Sequence, residues 1–326
     1  MKSIKFITLG SRNSGMGHIV RTWNLAQVLI RNGIKVGFET PLGTAGHEWL
    51  RDRIPTTRIG LNDEYHYQNC IIDLENGPSR ELLEECRGEF KKVIVLGGVG
   101  FPMIDQAAID ELVDLQIYQS IVVTNKYSSR NYLSGVEYLI LNPGYASQHE
   151  FSDVFVRERE NALVIMGGAD PHGITPIVCD HLLSSFNGYR PTVKAVFGSA
   201  ACATNIQKIP SEVRVEYALN NLIDLFLSSK FAITALGMTT YEAACLGVPT
   251  ASICWSEDHE ITARALEEKG VTVNLGLWNN PDWGKMGTFV DKMHNQAAWL
   301  KMSEAGKRLV DGKGVARVTQ RILEII

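Results

Sequence analysis

The sequence predicts an α/β protein made of two doubly wound parallel sheets. In each half of the chain, short apolar segments alternate with amphipathic ones, which is the pattern of strands and covering helices. The apolar segments, such as Val93-Ile-Val-Leu96, are continuous rather than alternating, as expected for strands buried on both faces. The length of 326 residues exceeds one typical domain and suffices for two.

The first predicted domain spans residues 1–146. A strand over 4–9 leads through a glycine-rich loop into a helix over 18–32. The further predicted strands are 34–39, 70–73, 93–96, 120–123 and 138–141, and the further predicted helices are 45–52, 79–90 and 103–115.

Residues 147–159 are polar with little periodicity, and we predict that they connect the domains. The second predicted domain covers 160–326, and its last helix is expected to pack back on the first domain. Its predicted strands are 162–166, 192–197, 213–217, 231–234, 250–253 and 271–274. A cleft between two such domains is a favoured small-molecule site.

Composition excludes several classes of protein. With 45% hydrophobic residues, 21% charged residues and a net charge of −4, the chain is typical of soluble globular proteins and has no basic surplus for nucleic acid. It contains no apolar run long enough to span a membrane, and its N-terminus leads straight into a strand, so we expect a cytoplasmic protein. Its six cysteines form no CxxC pair or metal-ligand spacing, so we predict neither metal nor cofactor.

The loop Gly10-Ser-Arg-Asn-Ser-Gly-Met-Gly-His18 joins the first strand to the first helix. Glycines let a backbone approach a ligand closely, and a helix N-terminus favours anions, so the loop suits phosphate. Arg12 lies in the loop and Arg21 follows His18 at i+3, so these three side chains are expected to converge on one anion. Asp73 is expected beside them, at the end of another strand.

Two common phosphate motifs fail in this loop. A P-loop needs Lys and Ser/Thr after its second glycine, but Met16 and Gly17 follow Gly15. The dinucleotide fingerprint needs a glycine where Val20 stands, although Glu39 closes the next strand near the position of a ribose-binding acid. What remains is Gly15, Gly17, His18 and Arg21 in a Gly-x-Gly-His-x-x-Arg pattern.

A second glycine turn, Gly167-Gly168-Ala-Asp170-Pro171, follows the first strand of the second domain. It is either a plain turn, with Asp170 capping a helix whose first residue is Pro171, or such a turn with a ligand on its amides.

The stretch 234–249 places a further helix start at Gly237, Met238, Thr239 and Thr240. Thr239-Thr-Tyr-Glu242 fits a capping box, in which Glu242 satisfies a backbone N–H. The alternative is that Glu242 accepts hydrogen bonds from ribose hydroxyls while the amides at the helix start hold a diphosphate.

The cluster Glu257, Asp258 and His259 opens another helix. It is either an acidic first turn that complements the helix dipole or part of a sugar site. Asp258 and His259 lack a third ligand that would make a metal site.

Taken in order, these motifs resemble the PseG/SpsG family within the MurG-like GT-B superfamily of nucleotide-sugar proteins. The segments that carry the resemblance are 15–26, 71–73, 141–142, 166–170, 237–249 and 310–317. The resemblance implies a GT-B fold and a nucleotide-sugar substrate, with UDP as the nucleotide. PseG-type members are UDP-sugar hydrolases that release UDP from a diacetamido trideoxy sugar, and SpsG-like members belong to spore-coat polysaccharide synthesis.

The chain departs from the family pattern at Asp73-Leu-Glu, at 123–126 and at Asp258-His259, all on the expected sugar side. The resulting prediction is a hydrolase in which His18, as general base, activates water against the anomeric carbon. Three alternatives remain open: a structural role for His18, a glycosyltransferase with an acceptor hydroxyl in place of water, and a catalytically silent nucleotide-sugar binding protein.

Overall fold

The computed structural model describes residues 2–11, 15–54, 59–97, 106–122, 131–153, 159–188, 190–219 and 221–326. The chain divides into two units, the first formed by Met1–Pro143 with Lys313–Ile326 and the second by Gly144–Gly312. Each unit contains one parallel sheet, as the alternation of strands and helices predicted.

The sheet of the first unit has the strand order β3-β2-β1-β4-β5-β6-β7. Its strands are β1 Ser3–Thr8, β2 Lys35–Glu39, β3 Ile59–Leu61, β4 Asn69–Asp73, β5 Lys92–Gly97, β6 Leu115–Tyr118 and β7 Tyr132–Ser134. The helices between them are α1 Gly17–Arg31, α2 Ala45–Arg51, α3 Arg80–Glu89 and α4 Gln106–Leu112. The strand order reverses direction between β1 and β4, which is the position where doubly wound sheets bind ligands.

The second unit starts with helix α5 and carries a sheet of order β10-β9-β8-β11-β12-β13. Its elements are α5 Gly144–Phe151, β8 Asn161–Ile165, α6 Thr175–Ser184, β9 Thr192–Phe197, α7 Ala203–Gln207, β10 Arg214–Tyr217, α8 Ile223–Leu227, β11 Ser229–Ala235, α9 Met238–Cys245, β12 Thr250–Cys254, α10 Glu257–Glu268, β13 Thr272–Leu277, α11 Trp283–Lys292 and α12 Gln296–Leu309. Here the order reverses between β8 and β11. The last helix, α13 Gly314–Ile325, belongs to the first unit and packs against α1.

Burial explains why these segments form central strands. Every residue of β4 and of β12 is buried, so continuous apolar runs fill both faces of each sheet. The core of the second unit includes Phe197, Phe231 and Trp299. Helix α1 turns Ile19, Leu25 and other apolar side chains inward, at the spacing expected for one face of a helix.

Several sequence predictions differ from the structure. Leu115, expected at the end of a helix, is the first residue of β6. Residues 120–122 and 138–141, expected in strands, have no partner strand in the described part of the sheet, and residue 123 lies outside the described residues. Residues 147–151, expected in a connection, continue α5. The apolar character of 138–141 has another cause: Leu139, Ile140 and Leu141 are buried, and the start of α13 at Gly314 packs on the backbone of Leu139.

Candidate functional site

Three side chains of the first unit meet at the reversal of its strand order. His18 is the second residue of α1, and Asp73 is the last residue of β4, paired in register with Thr8 of β1. His18 Nδ1 lies 2.7 Å from Asp73 Oδ1. Arg21, one turn along α1, donates from Nε to Asp73 Oδ2 at 2.8 Å and from Nη2 to Oδ1. The β1–α1 loop and the end of β4 therefore build one charged cluster.

Burial and the neighbouring charges together determine the ionisation of Asp73. The Asp73 side chain is 0% exposed, and that of Arg21 is 7% exposed. Burial alone would raise the pKa of Asp73, but the Arg21 guanidinium and His18 outweigh it and hold the pKa below its ordinary value of 3.8. Asp73 is therefore a carboxylate at neutral pH, and it accepts hydrogen bonds only.

The carboxylate sets the tautomer of His18. Because Asp73 can only accept, Nδ1 of His18 carries the proton that lies in the 2.7 Å contact. Arg21 Nη2 lies 3.2 Å from the same Nδ1, but it is also a donor. It therefore cannot accept the Nδ1 proton in place of Asp73. The lone pair of the imidazole is consequently on Nε2, and the side chain retains 20% exposure. This arrangement can accept a proton from a bound nucleophile.

Arg21 and Asp73 were both predicted to bind phosphate or sugar, and their buried groups are paired with each other inside the protein. Asp73 also contacts His18. The binding role of these two residues stays a prediction. Arg12, the other predicted phosphate ligand of this loop, lies outside the described residues.

Glycine stands at positions 15 and 17 for two different reasons. Gly15 has φ of +76°, which favours glycine, and its carbonyl accepts from Ser11 N at 3.1 Å. Gly17 begins α1 without a positive φ, and a Cβ placed there meets no described atom within 4 Å. Packing among the described residues therefore does not require glycine at position 17, whereas a ligand close to the helix N-terminus would.

In the second unit, helix α9 begins at the end of β11, beside the other reversal of strand order. Its N-cap is Gly237, and no side chain in the described structure caps its first turn. The capping-box interpretation is therefore wrong, because Thr239 lies inside the helix and cannot be its N-cap. Gly237, Met238 and Thr239 are only half-buried, and the N–H groups of a first helical turn have no partner within the helix.

Thr240, also predicted to bind nucleotide, points into the protein. It is fully buried, and its hydroxyl lies 2.9 Å from Thr234 Oγ1, with Ser252 Oγ at 3.4 Å. Its N–H donates to Gly237 O at 3.1 Å. Thr240 thus anchors the start of α9 to β11 and β12 rather than offering a group to a ligand.

Glu242 lies two residues further along α9 and is half-buried. Burial raises the pKa of its carboxyl to about 7, and the nearby hydroxyl of Tyr145 opposes this rise only in part. With the capping box excluded, the structure leaves Glu242 without the structural role that the sequence offered for it.

The turn after β8 carries Gly167, Gly168 and Asp170, whose predicted contact with a nucleotide stays a prediction. Gly167 has φ of +76°, and Gly168 packs so closely on Gly198 that a Cβ on Gly198 would fall 2.4 Å from Gly168 O. Asp170 is 2% exposed and accepts from the backbone N–H groups of Ile174 and Thr175. Its carboxylate is therefore used within the loop. Pro171 is not the first helical residue, as α6 begins at Thr175.

The acidic cluster at the start of α10 has the geometry of an N-capped first turn. Ser256 accepts from His259 N, while Glu257 and Asp258 are exposed. Burial lowers the pKa of His259, and Asp258 opposes this only in part. Its Nδ1 is buried without a hydrogen-bond partner among the described residues. The sugar-binding role of these three residues stays a prediction.

An aromatic group near the same edge of the second sheet was missed by sequence reasoning. The His172 ring stacks on Trp278 at 3.7 Å between centroids, with Trp255 at 5.2 Å. Trp255 and Trp278 each follow directly after a strand, β12 and β13, and that position was the available sequence signal. Both rings also pack on the core.

Two further findings concern the described residues only. No group of three His, Cys, Asp or Glu side chains comes together there as metal ligands. None of the helices in the described ranges has the length and apolar character required to cross a membrane.

Known proteins resemble this chain in sequence or in fold. No protein-family model matches the chain. It is 26% identical to the spore coat polysaccharide biosynthesis protein SpsG of Bacillus subtilis, over 95% of this chain and 94% of that protein. The structure of MurG from Acinetobacter baumannii superimposes with a TM-score of 0.67 at 11% identity, covering 100% of both chains. The calicheamicin glycosyltransferase CalG4 gives 0.62 at 12% identity, covering 99% and 98% of the two chains.

Two parallel sheets with this strand order, each with a helix start at its reversal point, define a GT-B protein. The predicted fold class is thereby confirmed. Within this class the chain is similar to SpsG, as the motifs in its sequence predicted.

Proposed function

We propose that the chain is a nucleotide-sugar hydrolase of polysaccharide biosynthesis, acting on a UDP-activated amino or deoxy sugar. The observation that carries the proposal is the 2.7 Å contact between His18 Nδ1 and the buried carboxylate of Asp73. With the Nδ1 proton directed at Asp73, Nε2 of His18 at the start of α1 supports the proposed role of proton acceptor. The likeness to SpsG, a protein of spore coat polysaccharide biosynthesis, supports the biological setting.

The reaction needs a nucleophile and stabilisation of a leaving group. In the proposed step, His18 Nε2 removes a proton from water, and the water oxygen bonds to the anomeric carbon. The bond between that carbon and the β-phosphate oxygen breaks, and its electron pair leaves with UDP. The free sugar takes the hydroxyl, and the proton on His18 returns to solvent. Asp73 stabilises the imidazolium that forms.

Binding of the nucleoside diphosphate is proposed for the start of α9. The first-turn amides of Gly237, Met238 and Thr239 are uncapped by any described side chain, and a helix N-terminus favours a diphosphate. Glu242 would accept hydrogen bonds from the ribose hydroxyls. The start of α1 at Gly17, where a Cβ meets no described atom, is the second helix terminus proposed to meet phosphate.

The alternative function is glycosyl transfer. It uses the same base and leaving group, with an acceptor hydroxyl in place of water, and it is favoured by the fold shared with MurG and CalG4. The further alternative is a protein that binds nucleotide sugars without turning them over.

One experiment separates the three functions. Purified protein is incubated without acceptor with a panel of UDP-activated amino and deoxy sugars, and NMR follows free UDP and free sugar. The variants are His18→Ala and, as matched control, His66→Ala, an exposed histidine of the same unit. Hydrolysis predicts release of UDP and reducing sugar by the wild type and by His66→Ala, and a loss of about 100-fold or more in His18→Ala.

Other outcomes contradict the hydrolase. Donors that bind and stay intact until an acceptor is added indicate a transferase. Donors that bind and stay intact with every acceptor indicate a silent binding protein. Turnover unchanged in His18→Ala removes the general-base assignment.

A further inference from the structure

We infer that Tyr145 is a positioning residue for Glu242: its buried hydroxyl donates to the Glu242 carboxylate in the nucleotide complex and holds that carboxylate for the ribose hydroxyls. The inference rests on the proposed function and extends it to a residue outside every motif described above.

The packing of α5 on α9 places the two side chains together. Tyr145 is the second residue of α5 and is 1% exposed, one of the largest fully buried side chains. Cys245 Sγ lies 3.9 Å from Tyr145 O, and His149 Nδ1 lies 2.8 Å from Cys245 O. Glu242 precedes Cys245 by three residues, so both lie on the face of α9 that meets α5.

The hydroxyl of Tyr145 lacks the partner that a buried polar group requires. Within the described part of the chain, its oxygen has no hydrogen-bond partner of good geometry, although it is fully shielded from solvent. Among its electrostatic neighbours the Glu242 carboxyl acts most strongly. A phenol donates well to a carboxylate, and such bonds often tighten only when the ligand is present.

The Glu242 carboxylate can accept hydrogen bonds from Tyr145 and from ribose at the same time. Its two oxygens offer about four acceptor positions, of which Tyr145 would use one, leaving the others for ribose hydroxyls. An orienting donor also cuts the entropy that a free Glu side chain would lose on binding.

Tyr145 is the group that acts on the Glu242 carboxyl besides burial, among the residues that the structure describes. The other titratable groups near this contact, His149 of α5 and Lys307 and Asp311, contact or act on Cys245. Burial raises the pKa of Glu242 to about 7, and the Tyr145 hydroxyl lowers it. Tyr145 thus favours the ionised form that ribose binding requires.

A double-mutant cycle tests the inference, with UDP as the probe. Affinity is measured by calorimetry for the wild type, Tyr145→Phe, Glu242→Gln and the double variant, and for 2′-deoxy-UDP as a ligand lacking one ribose hydroxyl. Tyr241→Phe, which removes the hydroxyl of another buried tyrosine on α9, is the matched control. Tyr145→Phe keeps the buried ring and should fold.

The expected result is that Tyr145→Phe weakens UDP binding about 10-fold and has no further effect in the Glu242→Gln background. The pH at which UDP affinity is half-maximal should rise in Tyr145→Phe, because the remaining carboxylate loses the donor that lowers its pKa. A merely structural role would leave this pH profile in place.

The inference is overturned by equal losses in both backgrounds, by an unshifted pH profile, or by unchanged UDP affinity in Tyr145→Phe. If the wild type hydrolyses a UDP-sugar and any of these occurs, only the role of Tyr145 fails. If the wild type binds no UDP at all, the proposed function fails and this inference with it.

Discussion

Nδ1 of His18 and Oδ1 of Asp73 lie 2.7 Å apart although 55 residues separate them in the chain. The contact exists because β1 and β4 are neighbours in the sheet, so the loop after one strand meets the end of the other. Arg21 donates to both oxygens of the same carboxylate and compensates its burial. The cluster combines a histidine of fixed tautomer with a charge that stabilises its protonated form.

Replacing Asp73 with Asn tests this arrangement. The amide keeps the shape of the side chain but loses the charge, so turnover should fall about 100-fold or more. Arg21 would then be buried without a counter-charge, which should lower the free energy of unfolding by about 3 kcal/mol. UDP release and urea unfolding measure the two effects. Asp114→Asn, which removes another ion-paired carboxylate of the same unit, should change stability without changing turnover.

Asp73 also predicts a response to acid. Its pKa is lower in the folded chain than the ordinary value of 3.8, so the stability it contributes is present above about pH 4 and is lost as pH falls through its folded pKa. Wild-type stability should therefore fall more steeply on acidification below about pH 4 than that of Asp73→Asn. Parallel slopes of the two proteins in urea unfolding would contradict the ion pair.

The sequence was sufficient for all six strands of the second sheet and for β1, β2, β4 and β5 of the first, because each has its own apolar pattern. It was insufficient for the short strands β3, β6 and β7. Leu115, the first residue of β6, follows α4 after a short connection, so its apolar side chain continued the helical pattern. Residues 138–141 are apolar because they pack under the start of α13, a contact between distant parts of the chain.

The candidate site likewise contains residues that the sequence identified and residues whose contacts it did not predict. His18 and the glycines belong to a local motif, and the sequence was enough to single them out. The inward roles of Arg21, Asp73 and Thr240 depend on which strands are neighbours, and no local pattern contains that information. The partner of Glu242 is on α5, a helix with weak periodicity in the sequence, so Tyr145 was not predicted either.

A buried arginine should control the stability of the second unit. Arg159 donates to the carbonyls of Gly247, Leu246 and Ser152, which joins the end of α9 to the end of α5. Burial lowers its pKa to about 10, so it remains charged at neutral pH. Arg159→Met leaves these buried carbonyls without their donor and should cost about 3 kcal/mol in urea unfolding.

The matched control for this change is Arg190→Met, which removes an exposed arginine of the same unit. It should alter the free energy of unfolding by about 0.5 kcal/mol or less. Equal effects of the two substitutions would show that the carbonyl contacts of Arg159 contribute nothing beyond an ordinary surface side chain.

Glu242 predicts a pH dependence of the opposite sign to that of Asp73. Burial raises its pKa from 4.5 to about 7, so the folded chain binds this proton more tightly than the unfolded chain does. The associated stability is fully present below about pH 4.5 and is lost as pH rises through about 7. Glu242→Gln should remove this slope, whereas Glu268→Gln, at an exposed position, should keep it. Urea unfolding between about pH 5 and pH 8 decides the matter.

Replacing Gly17 with Ala distinguishes the close approach of a ligand from packing within the protein. A Cβ at this position meets no described atom within 4 Å and φ is not positive, so Gly17→Ala should leave stability unchanged or raise it by up to about 1 kcal/mol. Turnover and UDP-sugar affinity should nevertheless fall, because the methyl group occupies the space in which phosphate would meet the helix N-terminus. Gly88→Ala is the matched control, since Gly88 is an exposed glycine inside α3 with the same open surroundings. It should stabilise the protein to a similar extent with full activity. If Gly17→Ala is as active as Gly88→Ala, no ligand approaches the start of α1 closely.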